Sequence, residues 1–118
     1  MEMDKIILAF SQSEKIKEGI IWASQILNVL QGLPEVEKNG GEKVIVALIH
    51  MIVQEINLAR AVSGDQRWDG IEPSLEKAVL MINSGITQEA VIHLSKALSR
   101  VTNIGQQSMS ILKEENLL

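Results

Sequence analysis

The chain has 118 residues, a net charge of −4, two tryptophans, one phenylalanine, and no tyrosine or cysteine. This length predicts a single domain, residues 1–118, with one hydrophobic core. The lack of cysteine excludes a disulfide framework, a thiol nucleophile and cysteine-ligated metal, and an acidic chain without a Lys/Arg stripe is not expected to bind nucleic acid.

The first residues place Glu2 and Asp4 before a short apolar run, 6–10. A secretory signal begins with basic residues and has a longer apolar stretch, so no export signal is expected. The sequence therefore predicts a cytoplasmic protein.

The first predicted helix covers residues 4–31. One apolar stripe with alternating spacings of three and four favours a single continuous helix. Ser11 and Ser13, followed by Glu14, also resemble a capping pattern, so a break within 10–13 is an open alternative. The stripe consists of Ile6, Ala9, Ser13, Ile16, Ile20, Ala23, Leu27 and Leu30.

The second predicted helix covers residues 42–62. Pro34 and the run Asn39-Gly40-Gly41 indicate a connection before it, with at most a short turn at 34–38, and Gly64 ends the helix. These residues are typical of turns because glycine adopts left-handed backbone angles and proline cannot donate a backbone hydrogen bond.

The third predicted helix, 73–84, begins at Pro73 and ends at Gly85, which is expected to be its left-handed cap. Thr87 is expected to cap the fourth helix, 87–115, through its hydroxyl. Four amphipathic helices with short connections predict an all-α, antiparallel up-down-up-down four-helix bundle whose third helix is short.

The second helix has an apolar arc about twice as wide as the roughly 100° that a bundle helix needs. This width predicts a homodimer or higher homo-oligomer formed through the helix, and a groove for a partner helix. The alternative is that the helix lies centrally in its own bundle. The predicted interaction surface consists of Val44, Ile45, Leu48, Ile49, Ile52, Val53, Ile56 and, in the next loop, Trp68.

Two interpretations of Trp68 are open. A tryptophan beside Arg67 has the composition of a binding hot spot, and a loop tryptophan can also close the end of a bundle. The apolar run 44–53 is shorter than the about 20 residues that cross a bilayer, so no membrane partner is expected.

A polar strip of His50, Gln54 and Asn57 runs along the second helix. It is interpreted either as the solvent side of the helix or as the lining of a polar ligand cavity. The HExxH and paired ExxH spacings of helical metal sites are absent from the sequence, so neither a metal nor another cofactor is expected. Without a catalytic constellation, a non-enzymatic, adaptor- or chaperone-like interaction module is the leading hypothesis.

The stretch HLSKALSRVTNIG, residues 93–105, resembles the core of histidine-phosphotransfer domains. Those domains are acidic four-helix bundles in which an exposed histidine accepts and donates a phosphoryl group. The resemblance implies His93 as phospho-acceptor, with Lys96 one turn away to neutralise the phosphoryl oxygens. The alternative is a boundary histidine that contacts Glu89.

Overall fold

The computed structural model describes residues 3–117 and contains the four predicted α-helices. The third is the shortest, as expected. The helices are α1 (Met3–Leu30), α2 (Glu35–Ser63), α3 (Glu72–Asn83) and α4 (Thr87–Glu114), and a short 3₁₀ helix (Gln66–Gly70) lies between α2 and α3.

Helix α1 is continuous, which settles the alternative of a break within 10–13. All eight residues of its predicted stripe are buried. Ser13 does not start a new helix, because its hydroxyl donates to the Phe10 carbonyl at 2.7 Å, one turn back in the same helix.

Helix α2 begins seven residues earlier than predicted, so the expectation of a loop through Gly41 is wrong. Pro34 precedes the helix, and its carbonyl accepts from the Lys38 N–H at 2.8 Å, which closes the first turn. Gly41 lies so close to Leu30 that a Cβ there would overlap the leucine side chain. Gly40 and Gly41 lower the helix propensity of this segment, but packing against the end of α1 offsets that cost.

The left-handed backbone predicted for Gly85 is confirmed (φ 77°), and Gly64, which ends α2 as predicted, is also left-handed (φ 66°); a side chain at either position would strain the backbone. The prediction that Thr87 caps α4 is wrong. Ile86 is the N-cap, and Thr87, inside the helix, donates its hydroxyl to the Glu42 carboxylate at 3.3 Å. This bond joins the start of α4 to α2.

The helices pack as antiparallel neighbours. α1 packs against α2 and α4, while α3 packs against α4 and, over a smaller area, α2. Gly19 of α1 lies beside Ile52 of α2, and Leu30 lies beside Gly41, so the two helices run in opposite directions. Long helices packed side by side give an elongated molecule of 52 × 23 × 18 Å.

The connection after α2 compensates for the shortness of α3. At 1.5 Å per residue, the 12 residues of α3 span about 18 Å, whereas the 28 of α4 span about 42 Å. Trp68 in the 3₁₀ helix and the adjacent Ile71 are both fully buried, and the 3₁₀ helix contacts α2, α3 and α4. Trp68 is therefore a core residue, and the prediction that it belongs to an interaction surface is wrong.

An ion pair between the buried Asp65 and the exposed Arg67 fixes this connection. The Asp65 carboxylate accepts from the backbone N–H of Arg67 at 2.9 Å and from its Nε at 2.8 Å, and Arg67 also bonds Gln107 of α4. The side-chain hydrogen bond from Arg67 holds the pKa of Asp65 below its ordinary value of 3.8, although burial acts in the opposite direction.

Candidate functional site: an apolar face on α1 and α2

The wide apolar arc of α2 has an inner and an outer part. The inner part is buried in the protein's own core and consists of Ile45, Ile49, Ile52, Val53 and Ile56. The prediction that these five residues form an interaction surface is wrong, because their spacing of three and four directs them toward the other helices. Of the predicted surface on α2, Val44 stays exposed and Leu48 is half-buried.

The outer part of the arc is a second stripe along α2. Val44 is 69% exposed and Met51 is 61% exposed, with the half-buried Leu48 between them. Leu58 and Val62 continue the stripe toward the end of the helix, and both are exposed. Helix α2 is therefore not enclosed on all sides, which rules out a central position in the bundle.

Helix α1 carries a matching stripe that the sequence analysis missed. Trp22 is 60% exposed, and Ile26 and Val29 follow it at spacings of four and three, also exposed. Such spacing places them on one side of α1, in line with Lys15 and Gly19, which lie beside α2. We define the outer face as Trp22, Ile26, Val29, Val44, Leu48 and Met51.

A groove of about 320 Å³ lies between the two stripes. Its apolar lining consists of Ile16, Gly19, Leu48, Met51 and Ile52, and its polar lining of Lys15, Gln54 and Glu55. Gly19 keeps the groove open, because a Cβ at this position would lie 3.3 Å from the Ile52 side chain. The volume is at the lower end of the range of ligand pockets.

The charges that line the groove neutralise each other. Lys15 Nζ lies 3.0 Å from Glu55 Oε1, with the lysine side chain 63% exposed. The other carboxylate oxygen, Glu55 Oε2, is buried and has no hydrogen-bond partner among the described residues. The groove thus combines apolar walls with one carboxylate oxygen that is shielded from solvent.

The three residues of the polar strip of α2 enclose no cavity of their own, although Gln54 also lines the groove. His50 and Gln54 are exposed, and Asn57 is half-buried, with its side-chain oxygen accepting from Arg60 at 3.0 Å. The alternative of a polar ligand cavity around these three residues is therefore wrong. They mark the polar side of α2.

On α4, His93 is half-buried and Lys96 is exposed. Within residues 3–117 neither side chain joins an ion pair, so the expected contact between His93 and Glu89 is not an ion pair. The same residues contain no group of three or more His, Asp or Glu side chains placed to hold a metal ion.

Helix α2 is apolar over a longer stretch than the run 44–53 alone indicates. It contains an 18-residue window with a mean hydropathy of 1.5, which is enough in length and composition to cross a membrane. One third of that window is buried inside the bundle. A core helix of this kind has the same composition as a membrane span, so the window alone is weak evidence for a membrane.

No protein-family model, curated protein or solved structure matches this chain. The signal for the missed half of the outer face is present in the sequence, since Trp22, Ile26 and Val29 repeat with helical spacing beside the core stripe of α1.

Proposed function

We propose that this protein is a non-enzymatic helical interaction module, adaptor- or chaperone-like, that self-associates through the outer face. The observation that carries the proposal is the exposure of Trp22, Val44 and Met51 on two adjacent helical stripes. Contiguous apolar patches on soluble proteins mark interaction sites when they exceed a few hundred Å². Burying such a patch contributes roughly 25 cal/mol per Å².

The outer face is the apolar part of a longer outer side of the α1–α2 pair. A helix of 28 residues is about 42 Å long, and two packed helices are together about 20 Å wide. This whole side, polar residues included, covers roughly 800 Å², about the area that each partner contributes to a standard interface. We propose that a second copy occupies it, giving a homodimer or higher homo-oligomer, with a partner helix as the other occupant.

We also propose a cytoplasmic protein without nucleic-acid or membrane partners. The net charge of −4 supports the absence of nucleic acid, since phosphate binding requires clustered basic residues. The burial of Ile45, Ile49 and Ile56 within the bundle favours packing over insertion of α2 in a bilayer.

Light scattering across a dilution series tests self-association. We expect the wild type to be a dimer or larger, and Val44→Glu to dissociate it because a charge would be buried at the interface. The matched control is Leu80→Glu on α3, which is 57% exposed and lies outside the outer face. A monomeric wild type at every concentration would contradict the proposal.

The second proposal is phosphotransfer through His93. The partial exposure of His93 and the exposure of Lys96, one turn away, favour it. Acetyl phosphate should label the wild type and not His93→Gln. Equal labelling of the two proteins, or none in the wild type, would end this proposal.

A further inference from the structure

The outer face combines a projecting side chain with a groove beside it. Trp22 is 60% exposed, and Gly19, which opens the groove, lies three residues earlier on the same side of α1. The other tryptophan, Trp68, is fully buried and unavailable to a partner. A single large aromatic side chain and a single groove therefore lie about one helical turn apart.

We infer that Trp22 of one copy inserts into the Gly19 groove of a second copy, and that the second copy inserts its own Trp22 in return. This inference rests on the proposed self-association. A two-fold axis perpendicular to α1, between residues 19 and 22, exchanges the two features, as an isologous interface requires. The molecule thus carries both halves of the contact on one face, which favours a second copy over an unrelated partner.

The chemistry of the groove fits an indole ring. The walls from Ile16, Leu48, Met51 and Ile52 are apolar, and tryptophan is the residue most typical of hot spots in such pockets. An indole also carries one N–H that needs an acceptor when it is buried. Glu55, which lines the groove, has a carboxylate oxygen without a hydrogen-bond partner in the described chain, and this oxygen is buried, so the Glu55 side chain has to turn for the indole N–H to reach it.

Charge does not oppose contact between two copies at the groove. Each chain carries a net charge of −4, so two copies repel each other wherever acidic surfaces meet. The charged residues of this groove, Lys15 and Glu55, already form a neutral pair. The groove is therefore a place where two acidic chains can meet without a like-charge contact.

A complementation experiment tests the reciprocal insertion. Trp22→Ala removes the inserted side chain, and Met51→Glu places a charge on the groove wall; both positions are mostly exposed, so the fold should be retained. A homodimer of either variant loses both insertions. A mixed dimer keeps one, because Trp22 of the Met51→Glu chain can still insert into the intact groove of the Trp22→Ala chain. Sedimentation equilibrium measures the three dissociation constants, and circular dichroism checks folding.

We expect each lost insertion to weaken association by about 30-fold, as for a hot-spot residue. The two variant homodimers should then be roughly 1,000-fold weaker than the wild type, and the mixed dimer only about 30-fold weaker. Leu80→Ala, on an exposed part of α3, is the control and should match the wild type.

The outcomes separate the two claims. The insertion is overturned if Trp22→Ala leaves the dissociation constant of the dimer unchanged. It is also overturned if the mixed dimer is no tighter than the variant homodimers. Either result leaves the proposed self-association in place. A monomeric wild type overturns both. A monomeric wild type that binds a different protein would also overturn both claims, because the inferred occupant of the groove is a second copy of this chain.

Discussion

The two tryptophans of this chain occupy opposite environments. Trp68 is fully buried in the connection between α2 and α3, whereas Trp22 is 60% exposed on the outer face. The ion pairs near them differ in the same way. The Asp65 and Arg67 side chains, next to Trp68, are 7% and 36% exposed, whereas the Glu55 and Lys15 side chains, in the groove, are 33% and 63% exposed.

This contrast separates residues that complete the fold from residues that are free to serve another purpose. Trp68 fills space beside α4 that the short α3 does not reach, so the bundle needs it. The core of α1 is already complete in the stripe that includes Ile20, Ala23 and Leu27, so Trp22 adds nothing to the core of its own chain. Trp22 is therefore the side chain on which the proposed interface depends most.

The largest expected effect is the difference between the tryptophans in unfolding stability. Trp68→Ala should lower the free energy of unfolding by about 3–5 kcal/mol, because it leaves a large cavity in the core. Trp22→Ala should change it by less than about 0.5 kcal/mol in dilute solution, where chains are dissociated. Urea denaturation at low protein concentration measures both values. Similar losses of unfolding free energy for the two variants would show that the two tryptophans do not differ in their contribution to the fold.

The next largest effect on unfolding stability is expected at the ion pair between the buried Asp65 and Arg67. Asp65→Asn should cost roughly 1.5–3 kcal/mol, because charge-assisted hydrogen bonds from Arg67 are lost. The pKa of Asp65 is lowered in the folded state, so its stabilisation is complete above the ordinary value of 3.8 and is lost as the pH falls through the lower folded-state pKa.

Urea unfolding of the wild type and Asp65→Asn at neutral and acidic pH isolates this contribution. The gap between the two proteins should be constant near neutral pH and narrow below about pH 4. A gap that is independent of pH would show that the Asp65 charge does not contribute to stability.

The smallest effect on unfolding stability is expected at the ion pair between Lys15 and Glu55. Lys15→Met should change the free energy of unfolding by less than about 1 kcal/mol, because solvent screens a pair of which one member is mostly exposed. Raising the salt concentration should reduce even this difference. If Lys15→Met lowered the free energy of unfolding as much as Asp65→Asn, the two ion pairs would contribute equally to stability, which would contradict this prediction.

The sequence predicted the helices and the core stripe of α1 because helical periodicity depends only on residue spacing. It did not predict the start of α2, because Asn39-Gly40-Gly41 favours a loop locally and becomes helical through packing against Leu30. The arc of α2 indicated excess apolar surface, but separating its inner residues from its outer residues requires knowledge of the neighbouring helices. For the same reason the exposed stripe of α1 was missed, and Trp68, a loop residue without periodicity, was misplaced.

The most direct test of the outer face as an interface is acrylamide quenching of tryptophan fluorescence at increasing protein concentrations. The buried Trp68 gives a fraction that resists quenching at all concentrations, so the quenchable fraction reports Trp22. Trp22→Phe is the control that identifies this fraction. We predict that the quenchable fraction falls as concentration rises, because the second copy covers Trp22. A fraction that stays constant across concentrations at which light scattering shows association would place the interface elsewhere and contradict the proposed role of this face.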